Sequence, residues 1–239
     1  MRGLRLAFSW LTVLPVRVSN VDRATASAAI AVAPVVGLVL GFAAAGLLLL
    51  LDLVHVGGLL AGFLVVTFLA LATRGMHLDG LADTADGLGS YKDPDRALAI
   101  MANGPVGPFG VVALVLVLGL QAAAVYHWPA LVLAVATGRV AFVICCRHGV
   151  PAARPAGLGA LVAGTQSLTT PILWLLGLLL LSPLADIHHP YKGPVAIVLA
   201  TGLVLVLSLH TTKRLGGVTG DVLGAASEIA TTAVLVVLN

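Results

Sequence analysis

Residues 77–88 read HLDGLADTADGL, and they hold three of the ten acidic side chains of the 239-residue chain. Asp79, Asp83 and Asp86 stand at i, i+4 and i+7, a spacing that puts them on one face of a helix. Carboxylates stacked in that way repel one another, and without a partner some of them must bind protons. A hard divalent cation resolves the conflict, because Mg²⁺ takes oxygen ligands and commonly bridges carboxylates to a substrate phosphate. Gly80, Ala82 and Ala85 leave room beside the acids for such a site. The alternative is an acidic turn at a membrane edge with no chemistry.

A second polar cluster, KRLGGVTGDVLGAASEI, lies at 213–229. Asp221 and Glu228 again share a helical face, with Gly224 between them. An ionisable group in a membrane segment is costly, so it must face the bundle interior and meet a partner or an ion. Gly216, Gly217 and Gly220 either permit tight turns or offer backbone N–H groups to a phosphate. Two acidic faces at one membrane surface predict a metal–diphosphate reaction centre. Nearby, His77 is a base, a metal ligand or an interfacial histidine bonded to a carbonyl. Arg139, alone in an apolar run, demands an anion, either a substrate phosphate or one of the aspartates. Asp93 followed by Pro94 reads as a helix cap.

The elements that must carry these residues are membrane helices. Apolar residues make up 59% of the chain and charged residues 10%, against about 25% charged in an ordinary soluble domain. Lipid is therefore the solvent for most of the surface. An all-α, polytopic bundle is predicted, with seven spans near 28–50, 57–73, 107–125, 129–146, 168–185, 194–210 and 221–238. Residues 1–239 form a single domain. Its first 20 residues include a short amphipathic or interfacial helix at 4–14, with Trp10 near the headgroups. Adjacent Cys145 and Cys146 read as small buried hydrophobes. No basic cluster is dense enough to hold a nucleic acid backbone.

The basic residues orient the chain. With a cytoplasmic N-terminus, the inner side receives Arg2, Arg5, Arg17, Arg23, Arg74, Lys92, Arg96, Arg147, Arg154, Lys213 and Arg214, and the outer side only Lys192. Residues 77–95, the loop at 147–159 and the glycine-rich segment then share the cytoplasmic face of a multi-pass protein of the cytoplasmic membrane. His188 and His189 fall on the opposite face. Small-residue faces are compatible with packing within one chain or in a homo-oligomer.

The chain resembles the cobalamin synthase family, the adenosylcobinamide-GDP ribazoletransferases. The resemblance rests on HLDGLADTADGL at 77–88, DPDRALAIM followed by GPVGPFG at 93–110, PAARPAGLG at 151–159 and LGGVTGDVLGAASEI at 215–229. LPV at 14–16 also fits, and the blocks cover nearly the whole length in the family's order. The resemblance implies transfer of the cobinamide-phosphoryl group of adenosylcobinamide-GDP to the 5′-hydroxyl of α-ribazole, or to α-ribazole 5′-phosphate. The products are adenosylcobalamin, or its phosphate, and GMP. It implies a Mg²⁺ held by Asp79, Asp83, Asp86 and Asp221, with Glu228 as a ligand or support. Arg139, Arg154, Asn103, Gly216, Gly217 and Gly220 would face phosphate, and His77 would be the base. Two departures stand out. Asn103, in MANGPVG, occupies a position where the family usually has Asp before Ser and a basic residue, and Ala230, Thr231 and Thr232 stand where many members carry a further Glu.

Rival readings fit less well. CDP-alcohol phosphatidyltransferases run nearly the same chemistry but carry DGxxAR followed by GxxxDxxxD, whereas this chain has DGLADTADG and no such later block. A cation transporter would hold its acids near mid-membrane. A scaffold would leave the packed aspartates without use.

Overall fold

The computed structural model describes the whole chain, Met1–Asn239, and its regular structure is entirely helical. The order is α1 (Arg2–Leu11), α2 (Arg23–Ala31), α3 (Ala33–Leu53), α4 (Gly58–Ala72), α5 (Met76–Gly89), α6 (Pro94–Asn103), α7 (Pro108–Ala124), α8 (Trp128–Cys145), α9 (Leu158–Val162), α10 (Thr169–Leu181), α11 (Lys192–Leu215) and α12 (Gly220–Leu238), with a 3₁₀ turn at Ser182–Ala185. Helix α8 is the axis of the bundle, buried almost along its length, and α12 runs beside it. Glycines allow the close packing: a side-chain carbon on Gly37 would lie 2.9 Å from the Val135 carbonyl oxygen, and one on Gly41 would lie 2.9 Å from Val132 Cα. Cys145 and Cys146 are buried as free thiols, as expected.

The first predicted span is broken in the structure. Val32 interrupts it, separating α2 from α3 just before Pro34, whose missing N–H and ring steer the chain out of a continuous helix. Asp22 starts α2 by accepting the Thr25 N–H at 2.7 Å. The N-terminal helix lies slightly earlier than expected. It turns Gly3, Leu6, Ala7 and Leu11 inward against α2, on one helical face.

Apolar helices occupy all seven predicted spans, but four of them, α3, α8, α11 and α12, are long and apolar enough to cross a membrane alone. The number rises to six if each bent pair, α4 with α5 (92°) and α6 with α7 (66°), counts as one span. Helix α10 has 13 residues and is about 20 Å long, short of the ~30 Å hydrocarbon thickness. Outward-facing Leu50, Phe63, Val115, Leu173 and Val206 give the bundle a lipid-compatible surface. The bend between α4 and α5 is built by Arg74 and Gly75, both at positive φ, and it swings the aspartate-bearing helix across the end of the bundle toward α12.

Candidate active site

Helices α5 and α12 meet backbone to backbone. A carbon on Gly80 would lie 2.6 Å from the Asp221 carbonyl oxygen, and one on Gly224 would lie 3.1 Å from His77 Cα. Larger residues at these positions would separate the two acid-bearing helices. Thr219 caps α12, its Oγ1 accepting the Val222 N–H at 3.2 Å and donating to Asp221 Oδ2 at 3.2 Å. Asp221 thus sits in the first turn of α12, where the helix dipole favours an anion.

Loop 147–157 delivers Arg154 to this point. The Ala153 N–H donates to Val218 C=O at 3.1 Å, and the Val218 N–H donates to Pro151 C=O at 2.9 Å. The glycine segment is therefore pinned to the loop. Gly216 ends α11 in the left-handed conformation (φ 83°), Gly217 packs against Pro151, and Gly220 opens α12 beside Leu158. Arg154 donates through Nη2 to the Leu98 carbonyl at 2.7 Å, and its Nη1 lies 3.8 Å from Asp221 Oδ2. Asp83 is half-buried and feels the charges of Asp79, Asp221 and Asp86 as repulsion and that of Arg154 as attraction. Asp79 is exposed at the open end of the same face.

Asp86 faces a different neighbour. It is 7% exposed, and its carboxylate accepts the Gly107 N–H at 2.6 Å and the Gly110 N–H at 2.9 Å. Those are free N–H groups at the start of α7, so Asp86 caps that helix from outside it. Glu228 is also apart. It lies two turns deeper along α12 than Asp221, 8% exposed, and accepts a hydrogen bond from Gln121 Nε2 at 2.8 Å. Arg139, 3% exposed, donates to Ser227 Oγ at 3.1 Å and has Nη2 3.3 Å from His77 Nδ1. Glu228 is the carboxylate whose charge acts on Arg139. The two make no direct ion pair, and the hydrogen-bond partners of Arg139 are Ser227 and His77.

The predicted residues accordingly separate into two groups. Asp79, Asp83, Asp221 and Arg154 converge at the junction of α5, α12 and the 147–157 loop. His77, Arg139 and Glu228 form a buried polar knot with Gln121 and Ser227. Asn103 is the exposed last residue of α6. No three His, Cys, Asp or Glu side chains are grouped closely enough to hold a metal ion by themselves. The donor chemistry of the first group suits Mg²⁺ bound through one or two carboxylates and completed by substrate phosphates, the usual manner for this ion. Gln121 and Thr219 escaped the sequence reading. The signal for Gln121 was a lone amide in an apolar run; for Thr219 it was a hydroxyl two residues before an acid at a helix start.

The family model described as "Cobalamin-5-phosphate synthase" matches residues 3–239. A Nocardioides sp. protein named adenosylcobinamide-GDP ribazoletransferase is 44% identical, the match covering 97% of this chain and 95% of that protein. A Frankia casuarinae protein of the same name is 39% identical over 100% of this chain and 94% of its own length. One from Corynebacterium efficiens is 37% identical over 98% and 90%. No solved structure matches the chain.

Proposed function

The chain belongs to the cobalamin-5-phosphate synthase family, and from that premise we propose that it transfers the adenosylcobinamide-phosphate group of adenosylcobinamide-GDP to α-ribazole or α-ribazole 5′-phosphate. The nucleophile is a ribose hydroxyl other than the 5′ one expected from the sequence, because a phosphorylated acceptor keeps its 5′-phosphate in the product. That hydroxyl oxygen attacks the phosphorus that carries the cobinamide. A new P–O bond forms as the bond to the bridging oxygen breaks, and GMP leaves. With either acceptor the hydroxyl proton passes to a carboxylate of the site and then to water. The product is adenosylcobalamin, or its phosphate when the acceptor is phosphorylated.

The observation that carries this reading is the juxtaposition of Asp83, Asp221 and Arg154 where two helices and a loop converge. In this assignment Asp79, Asp83 and Asp221 hold Mg²⁺ together with the substrate diphosphate. The ion supplies charge neutralisation at the diphosphate oxygens. Arg154, already held by the Leu98 carbonyl, binds a phosphate oxygen and keeps it in line with the acceptor. The N–H groups at the start of α12, around Gly220, add donors to the same anion. Asp86 holds α7 against α5, and the knot around Arg139 and Glu228 fixes the depth at which α5 crosses α12.

We further assign the N-terminus and this site to the cytoplasmic face of the multi-pass bundle. Support comes from the basic residues. Arg74, Arg154 and Arg214 all belong to the elements around the site, Arg214 reaching the Lys92 carbonyl at 3.4 Å. Lys192 instead lies beside Asp186 at the other end of α11. The test of function is direct. Protein reconstituted in lipid vesicles with adenosylcobinamide-GDP, α-ribazole and Mg²⁺ yields adenosylcobalamin and GMP in equal amounts, and product without GMP release would contradict the displacement.

A further inference from the structure

Beside the site lies an apolar cavity of about 280 Å³ that the proposed chemistry leaves unused. Its walls include Ala7, Trp10 and Leu11 of α1, Phe142 of α8 and Leu223 of α12. That volume lies near the lower end of the ~300–1,000 Å³ typical of small-molecule sites. Arg74 belongs to its wall, but its guanidinium is tied to the Ser9 and Trp10 carbonyls at 3.2 and 3.1 Å, so it fastens α1 in place over the cavity.

One polar group in the wall lacks a partner. His77 lines the cavity, is 4% exposed, and has no hydrogen bond at Nε2. Its tautomer follows from the other nitrogen. Nδ1 lies 3.3 Å from Arg139 Nη2, which can only donate, so Nδ1 accepts and the ring proton is on Nε2. Glu228 Oε1, 3.9 Å from Nδ1, is too distant to reverse that assignment by a hydrogen bond. Neither Arg139 nor Glu228 lines the cavity, so the ring keeps its Nδ1 edge toward the knot and leaves Nε2–H for whatever fills the space.

We propose that this cavity binds the heteroaromatic base of the acceptor nucleoside, with Nε2–H of His77 donating to the base's free ring nitrogen. The proposal rests on the transferase reading above and adds the acceptor's subsite to it. A flat, mostly apolar ring with one acceptor atom matches the walls and the single donor. A lipid tail would fill the same space but leave the N–H unpaired. The position is suitable as well. Gly220 and Leu158 line the cavity on the side of Asp221, so a base held inside directs its ribose toward the carboxylates. In this role His77 is a binding residue, not the base that takes the proton.

The test compares equilibrium binding of α-ribazole with that of the matching indole riboside, which keeps the shape but lacks the free nitrogen. Calorimetry on the detergent-solubilised full chain measures both. The wild type binds α-ribazole about tenfold more tightly, the order expected for one buried hydrogen bond. His77→Phe abolishes that preference. Ala7→Phe intrudes from α1 without removing any polar group of the knot, weakens both ligands by about tenfold, and leaves the KM for adenosylcobinamide-GDP in place. Should His77→Phe fail to fold, the wild-type preference and Ala7→Phe decide. Equal affinity of the wild type for the two ribosides, an unchanged α-ribazole affinity in Ala7→Phe, or a co-purifying lipid that α-ribazole does not displace overturns the proposal. Discrimination between the ribosides without cobalamin formation leaves the cavity standing and sinks the transfer reading. Cobalamin formation with an unchanged α-ribazole KM in Ala7→Phe does the reverse.

Discussion

A carbon added to Gly80 would lie 2.6 Å from the carbonyl oxygen of Asp221, so α5 and α12 touch through bare backbone at the level where their acids meet. Gly80→Ala therefore forces the helices apart. It is expected to cost about 1–3 kcal/mol of stability, as other overpacked contacts do. Turnover per folded molecule should also fall, because Asp83 and Asp221 move apart. Thermal unfolding in detergent, paired with a turnover assay, checks both. A variant of normal stability and turnover would mean that the two helices tolerate a wider spacing.

Asp86 provides a contrast within the same helix. Asp86→Ala strips the acceptor from the Gly107 and Gly110 N–H groups and is expected to destabilise the protein by about 1–3 kcal/mol for the buried donors left unpaired. The Mg²⁺ concentration for half-maximal turnover should stay where it was. A large shift in that concentration at normal stability would return Asp86 to the metal ligands.

The buried knot predicts non-additivity. Glu228→Gln removes the buried negative charge that shares the knot with Arg139 and leaves the guanidinium enclosed in the bundle without a counter-charge, a change expected to cost about 1–3 kcal/mol. Replacing Arg139 with Met in the same molecule removes the orphaned charge and should recover much of the loss. Unfolding of the two single variants and the double variant measures the coupling; simple addition of the two losses would mean that the groups do not act as a pair.

Topology is checked by cysteine labelling in a background lacking Cys145 and Cys146. Ser90→Cys, at the end of α5, should react with an impermeant maleimide in inverted membrane vesicles and stay unlabelled in intact cells. Labelling from outside intact cells would reverse the orientation drawn from the basic residues.

The helical bundle was legible because the chain has too few charges to wet a soluble surface, and its apolar runs fall on the observed helices. Asp83 and Asp221 were legible for the same reason: a charge among so few must have a use. Asp86 was only half legible. Its spacing gives the helical face, but its partners lie 21 and 24 residues away at the start of another helix, which no local pattern encodes. Glu228 shares a face with Asp221 yet sits two turns deeper, and one face of a membrane helix spans both surface and interior. Pro34 marked a break that the run of apolar residues concealed. The bend before α5 depends on left-handed Arg74 and Gly75 and the bend before α7 on extended Gly104 and Gly107, so a hydropathy reading could not give the number of spans.

The central claim is that Asp83 belongs to a charged site that binds Mg²⁺ and diphosphate, and Asp83→Asn tests it most directly. The substitution keeps the side chain's size and one oxygen but removes the charge, in a group that Asp79, Asp221 and Asp86 already repel. Turnover of adenosylcobinamide-GDP per folded molecule, titrated with Mg²⁺, should fall by orders of magnitude while thermal stability in the absence of metal holds or rises. Near-normal turnover with an unchanged Mg²⁺ dependence would contradict the account, and so would a loss of activity that merely follows a loss of folded protein.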